Sequence, residues 1–267
     1  MNVGRLSSVM TAATERNLSN EERPLLSIVV PAHNEEQRLP PCLEQIDAFL
    51  KTQPYQAEVI VVENGSRDRT FEVGQQFAAT HPYVKVMSVM TRGKGLAVKA
   101  GMLEARGDYR FICDVDLSMP IEEIVRFLPP NIDGYDVIIA TREGKGARRV
   151  DEPEYRHLMG RVNNWIIKLM AVPDFEDTQC GFKMFNRKAA EDLFQVQRMT
   201  GIGFDVELLY IAERRGYKIC EVPITWYFNA DSRMRLVQDS LRMLQEIREI
   251  RQNWRKGLYA KVDHRRD

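Results

Sequence analysis

The 267-residue sequence has no excess of either charge, with Lys plus Arg and Asp plus Glu both at 38. That balance leaves no global electrostatic footprint for nucleic acid or a strongly acidic partner. Cysteine is scarce. Cys42, Cys113, Cys180 and Cys220 lie far apart with no Cys-x-x-Cys pair, and Cys113 and Cys220 fall in apolar runs. Reduced, buried thiols in a cytosolic protein are the expectation. Long hydrophobic runs are missing too. Residues 1–23 have no apolar core, so no secretory signal is read there, and a mobile or weakly helical extension is expected. The most apolar helix candidate, 165–172, is short and carries Lys168, which excludes a membrane span. The first strand lacks a Gly-x-Gly-x-x-Gly turn, which sets aside a dinucleotide-dependent oxidoreductase. Gly93-Lys94-Gly95 lacks the glycine spacing and the following Ser or Thr of a Walker loop. No internal repeat and no linker break the chain.

What is present is an alternation of strands and helices. Apolar runs at 26–30, 59–62, Val84–Val89, 109–113 and 136–140 read as strands. Helices are expected at Leu39–Leu50, about 69–79, 96–105 and, shorter, 121–128. Repeated βα units with nearly continuous apolar strands predict an α/β fold, a mostly parallel sheet covered on both faces. Further on, 141–154 reads as a charged loop, 155–170 as a helix, and 174–181 as irregular. A short strand at 183–185, helices at 188–194 and 204–215, and a strand at 218–226 follow. Residues 236–259 form a long helix with Leu236, Leu241, Leu244, Ile247 and Ile250 as its apolar residues. The expected organisation is an extension (1–23), one α/β domain (24–230), and an amphipathic helix with a basic tail (231–267).

Chemistry concentrates where strands end. Asp114-Val115-Asp116 follows the fourth strand, placing two carboxylates at the carboxyl edge where open α/β sheets bind ligands. Hard oxygen donors of this kind suit Mg²⁺ or Mn²⁺ shared with phosphate oxygens; turn and cap chemistry at Asp116 or Ser118 is the alternative. The first strand ends in Pro31-Ala32-His33-Asn34-Glu35 and the second in Glu63-Asn64-Gly65-Ser66-Arg67-Asp68. Gly65 and Ser66 allow backbone to approach a flat ligand, and carboxylates there can accept from ribose hydroxyls or a base N–H.

The three edges in this order resemble family 2 glycosyltransferases over about residues 26–226. Arg92-Gly93-Lys94-Gly95, Asp114-Val115-Asp116-Leu117-Ser118 and Asp177-Thr178-Gln179-Cys180-Gly181-Phe182-Lys183 look most like the dolichyl- or polyprenyl-phosphate hexose synthases. The last of these runs, with Gly203-Phe204-Asp205-Val206-Glu207, is more similar to the glucosyl branch, which uses UDP-glucose, than to the mannosyl branch. The resemblance implies the nucleotide-sugar-binding fold called GT-A. It implies uridine contacts from Pro31, Ala32 and Glu35, and a uracil-edge contact from Glu63. Asn64 stands where a second Asp is common. Lys94 is implied near the nucleotide, Asp114 at the sugar or ribose, and Asp116 on the metal bridging the diphosphate. Arg142 aligns with the family's Ser-Arg element, and Arg156 with the Arg that follows its mobile loop; both suit a diphosphate or an acceptor phosphate. Arg148 and Arg149 read as ordinary exposed charges.

The resemblance implies an enzyme, a metal-dependent hexosyltransferase that inverts the anomeric carbon by direct displacement onto a polyprenyl phosphate. A lipid phosphate is already anionic and needs no base; a hydroxyl acceptor does, and Asp177 is the candidate, with a cap or brace of the loop before Cys180 as its equal alternative. A hydroxyl acceptor, a GDP-mannose donor and a non-catalytic nucleotide-sugar binder stay open as alternatives. No nucleic acid partner is expected. A cytoplasmic location is expected. Two readings of 236–259 stay open: a helix packed on the domain with a solvated basic face, or a peripheral membrane contact in which Trp254 and Tyr259 would serve as interfacial rings beside Arg251, Arg255, Lys256 and Lys261.

Overall fold

Alternation along the first strands decides how the sheet is covered. In β1 (Leu26–Ala32), Ile28 and Val30 point to one face and Val29 to the other, and β2 (Ala57–Asn64) repeats the pattern with Val59 and Val61 against Ile60 and Val62. A computed structural model describes residues 23–172, 174–229 and 236–260. In it β2 pairs in parallel with β1 and with β3 (Val84–Val89), while β4 (Tyr109–Ile112) lies parallel on the other side of β1. Next comes β7 (Lys183–Asn186), antiparallel to both β4 and β5 (Val137–Thr141); β8 (Ile219–Pro223) closes the sheet parallel to β5. The order is β3-β2-β1-β4-β7-β5-β8.

Helices lie on both faces, as buried two-sided strands require. α1 (Leu39–Leu50), α2 (Thr70–Ala78) and a 3₁₀ turn (Ile121–Phe127) cover one face, where Leu39, Leu43, Ile46 and Phe127 meet Ile28, Val30 and Val61. α3 (Lys94–Glu104), α4 (Glu154–Met170), α5 (Arg187–Val196), α6 (Phe204–Arg214) and α7 (Leu236–Arg255) contribute to the other. α3 reaches the sheet closely because position 101 is glycine: a Cβ there would run into Val29 and come within 2.8 Å of Val62. All four cysteines are free thiols, three of them buried.

Two expectations about elements change. The run 218–226 is not one strand: β8 stops at Pro223, and β9 (Thr225–Tyr227) leaves the main sheet to pair with β6 (Arg148–Val150), inside the segment expected to be loop. Pro223 has no N–H to continue a ladder, and the Ile224 amide instead donates to the Thr141 carbonyl at 3.0 Å. The expected extension at 1–23 lies, apart from Arg23, outside the described residues.

Of the two readings of the C-terminal helix, the structure shows the packed one. Met243, Ile247 and Ile250 are buried in the same core as the sheet. Trp254 packs edge-on against Tyr210, with Arg214 over both rings, and Tyr259 is 3 % exposed. The two rings expected at a membrane interface therefore face inward. Trp254 and Tyr259 close the core because the turn after α7 brings the chain back on α6, where Tyr259 Oη donates to Glu207 Oε1 at 2.6 Å. Lys261 lies outside the described residues. Tyr259→Phe leaves a buried carboxylate short of one donor and is expected to cost about 1–3 kcal/mol in urea unfolding; unchanged stability would show that this link does not hold the C-terminal turn.

Candidate active site

Parallel pairing opens the ends of β1, β2 and β4 at one edge of the sheet. Two successive antiparallel steps through β7 bring β5 back to the same direction, so Thr141 and Arg142 emerge there too. The segment leading into β7, with Asp177, Cys180 and Gly181, enters from that edge. Residues far apart in sequence thus meet around the Asp114-Val115-Asp116 turn, and Tyr227 of β9 donates to the Ser118 carbonyl at 2.7 Å to hold it.

The two aspartates differ in surroundings. Asp114 Oδ1 lies 2.6 Å from Lys94 Nζ at the first residue of α3. Its other side rests on Gly181, where any Cβ would collide with the carboxylate. That contact explains glycine after Cys180. Burial opposes the Lys94 charge, but Asp114 and then Asp205 outweigh it and raise the ammonium's pKa. Asp116 pairs with no cation among the described residues and accepts from the Ser118 amide at 3.1 Å. It is exposed at the edge, yet desolvation by the walls around it, followed by the charge of Asp114, pushes its carboxyl above the ordinary aspartate range.

This donor set fits a hard divalent cation. A carboxylate without a cationic partner, its pKa raised beside a second carboxylate, gains when a cation arrives. Among the described residues no group of three or more His, Cys, Asp or Glu encloses a metal. The remaining ligands would come from water and substrate phosphates, as is usual for Mg²⁺.

A cavity of about 680 Å³ opens beside the pair. Of the residues expected to bind, Pro31, Ala32, Glu35, Asn64, Lys94, Asp114 and Asp116 line it. Asn64 also holds its far rim: the amide nitrogen donates to the Thr91 carbonyl at 2.5 Å and the oxygen accepts from the Gly93 amide at 2.6 Å. Asn34, at φ +54, accepts from the Arg67 amide at 2.8 Å and joins the first two edges.

Glu63, Gly65, Arg142, Arg156 and Asp177 stand outside the cavity wall. The Glu63 carboxylate, expected at the uracil edge, turns away to accept from the Ser66 amide and from Ser88 Oγ at 2.6 Å. Gly65, at φ +61, shapes that same turn. The Arg156 guanidinium lies over Phe228 at 5.1 Å. Arg149, expected as an exposed charge, is 11 % exposed, paired with Glu143 and Glu152 and lying over Trp226.

The sequence reading gave no binding role to the opposite wall: Arg92 and Gly93 of the quoted run, then Thr200, Gly201 and Ile202, and Arg242 from α7. This wall is built on close backbone approach. A Cβ at Gly93 would meet the Thr200 carbonyl at 2.5 Å, and one at Gly201 would meet Arg242 at 2.6 Å. Beneath it, Glu207 accepts from the amides of Arg198 and Met199, and Gln197 donates to the Gly95 carbonyl at 2.8 Å. The two glycines at 201 and 203 were the available signal.

Of the two roles open to Asp177, the structure shows the brace. Its carboxylate is 0 % exposed, and Arg142 grips both oxygens, Nε–Oδ2 at 2.6 Å and Nη2–Oδ1 at 2.9 Å, while stacking on Trp226 at 5.3 Å. A carboxylate committed in this way is a brace and not an accessible base; Arg142 is equally committed to the brace. Burial opposes its charge, but Arg142 more than offsets this and holds the carboxyl down at about 2. The unfolded group titrates near ~3.9. Ionised Asp177 therefore stabilises the fold fully above that value, and the contribution disappears as pH falls towards 2. Asp177→Asn is expected to lose roughly 3 kcal/mol at neutral pH, a deficit that shrinks below about pH 4. Urea unfolding across that range reads the difference; a deficit independent of pH contradicts the ion pair.

Residues 27–194 match Glycosyl transferase family 2. The dolichyl-phosphate beta-glucosyltransferase ALG5C of Trichomonas vaginalis is 32 % identical over 250 residues, covering 89 % of this chain and 74 % of that protein. The human dolichyl-phosphate beta-glucosyltransferase is also 32 % identical, over 216 residues, 75 % of this chain and 67 % of its own length. In fold, the chain is similar to glucosyl-3-phosphoglycerate synthase from Mycobacterium tuberculosis in complex with Mn²⁺, UDP and glucosyl-3-phosphoglycerate (TM-score 0.60, 18 % identity, 85 % of this chain and 80 % of that one). With its GT-A fold and its carboxylates at the shared strand edge, the chain belongs to the family 2 glycosyltransferases.

Proposed function

We propose that this enzyme transfers glucose from UDP-glucose to a dolichyl or related polyprenyl phosphate, with inversion at the anomeric carbon. The observation that carries the acceptor class is the burial of Asp177. A hydroxyl acceptor must lose its proton, and the residue expected to take it is locked to Arg142 at 2.6 Å. A phosphate oxygen is already an anionic nucleophile. The relatives' names support the same donor sugar and lipid acceptor.

In this reading the nucleotide occupies the cavity between Pro31–Ala32 and the Thr200–Ile202 wall, with Asn64 at its rim. Asp116 holds the cation, and Asp114, fixed by Lys94 and Gly181, faces the ribose or sugar. A bound divalent cation supplies neutralisation of the diphosphate leaving group. Lys94 adds a fixed positive charge beside it, effective because the charge is already in place before the reaction. The acceptor oxygen forms a bond to the anomeric carbon, the bond from that carbon to the β-phosphate oxygen breaks, and its electron pair leaves on UDP. Displacement from the opposite face gives a β-linked lipid-phosphate glucose. The Arg142–Asp177 brace keeps Gly181, and with it Asp114, in place.

Incubation with UDP-glucose and dolichyl phosphate is expected to give a β-linked, chelator-sensitive product. GDP-mannose is expected to be a poor donor. Asp116→Ala is expected to lower turnover by at least about a hundredfold, in the range for loss of a group that stabilises developing charge. An α-linked product, or an Asp116→Ala enzyme of full activity, contradicts the reading.

A further inference from the structure

α4 has one face that the fold leaves uncovered. Tyr155, Leu158, Val162, Trp165 and Leu169 are each between 53 % and 72 % exposed. Their spacing of three and four residues lines them along one stripe, while Asn164, Ile167 and Ala171 on the opposite side are buried. Exposed apolar side chains scattered singly are ordinary; five aligned over roughly 21 Å of helix are an interaction surface. No other described helix carries such a row among the exposed large hydrophobic residues.

What covers the stripe follows from its length and its edges. It runs for two heptads, from 155 to 169, short of the three or four that sustain a coiled coil with a second copy. Tyr155 and Trp165 are amphipathic rings suited to a headgroup region. Arg161, exposed, flanks the stripe on one side, with Lys168, paired to Glu176, on that same side, and Glu154 is the helix's one acid. An apolar stripe that carries amphipathic rings and has the exposed Arg161 along one border complements an anionic lipid surface. α4 also follows directly from the β5 edge that carries Arg142, through β6, so the stripe is joined by a short stretch of chain to the edge with the reacting groups.

We propose that the outward face of α4 seats the enzyme on an anionic bilayer, a role whose purpose rests on the lipid-phosphate acceptor proposed above. The helix lies in the plane of the interface with its apolar side in the headgroup and acyl boundary. The membrane contact considered for α7 thus belongs to a different helix, since the α7 rings are used in the core.

The test is flotation of the full chain with phosphatidylcholine vesicles containing or lacking phosphatidylserine. Wild-type protein is expected to float with the anionic vesicles, and Leu158→Ser/Trp165→Ser/Leu169→Ser to float roughly tenfold less or lower. Because these side chains are exposed, the variant's thermal unfolding is expected to match the wild type; if it does not, the single changes Leu158→Ser and Leu169→Ser carry the test, each with a smaller loss. Transfer to a short-chain, water-soluble isoprenyl phosphate is expected to survive in the variant while transfer to bilayer-embedded polyprenyl phosphate falls. Wild-type protein that stays with the bulk solution, or variants that float like wild type, overturn the proposal. So does a wild-type dimer that the triple variant splits without any change in flotation. Wild-type protein that floats but glucosylates neither acceptor refutes the acceptor reading alone and leaves the docking face standing.

Discussion

Asp114 is clamped from both sides just beyond the β4–β7 ladder that joins the two halves of the sheet. Lys94 reaches it from the start of α3 at 2.6 Å, and the Gly181 backbone lies against it from the segment that enters β7. Neither neighbour has much room to move. Gly181 is positioned by a loop whose Asp177 is gripped by Arg142 and whose amides at 176 and 177 donate to Glu221 of β8. Lys94 is positioned by Asn64 below it and by the Gln197–Gly95 bond beside it. Displacing Asp114 would disturb the first three strands, the antiparallel insert and the far wall together.

The same contacts underlie the division of work proposed for the two acids. A carboxylate already neutralised by an ammonium gains less from a cation than one beside it that is not. Asp116 keeps that unneutralised role because Lys94 reaches Asp114 and because Ser118 supplies it only hydrogen bonds. Sequence order alone could not assign the roles, since both residues sit in one turn. Their difference arises from a lysine twenty residues earlier and a glycine sixty-seven residues later.

Much of the frame was legible in the chain. Strands β1 to β5 are runs of Val, Ile and Phe with helical periods between them, and their ends carry the acidic and small residues that make the edge. β7 was legible as a short strand but not in direction, because a four-residue strand with only Met184 and Phe185 apolar carries no sign of its sense. The split between β8 and β9 was signalled by Pro223 but hidden by the apolar residues on either side of it. In Glu63 the identity matched the expected nucleotide contact, while the Ser66 and Ser88 donors, visible only in three dimensions, drew the carboxylate elsewhere. α7 illustrates a common ambiguity: aromatic rings next to Arg and Lys suit an interface or a core edge equally well, and Glu207, fifty-two residues before Tyr259, settles which. α4 failed in the opposite sense. Apolar residues occupy most of its circumference, so its period marked a helix without marking which row faces out.

The division of labour between the aspartates can be measured directly. Mn²⁺ binding in the presence of UDP, followed by the loss of the free-ion paramagnetic resonance signal, separates them. Wild-type protein and Asp114→Asn are expected to take up one Mn²⁺ with similar affinity, and Asp116→Asn to take up none at the same concentrations. Equal loss in both variants, or loss in Asp114→Asn alone, would contradict the account.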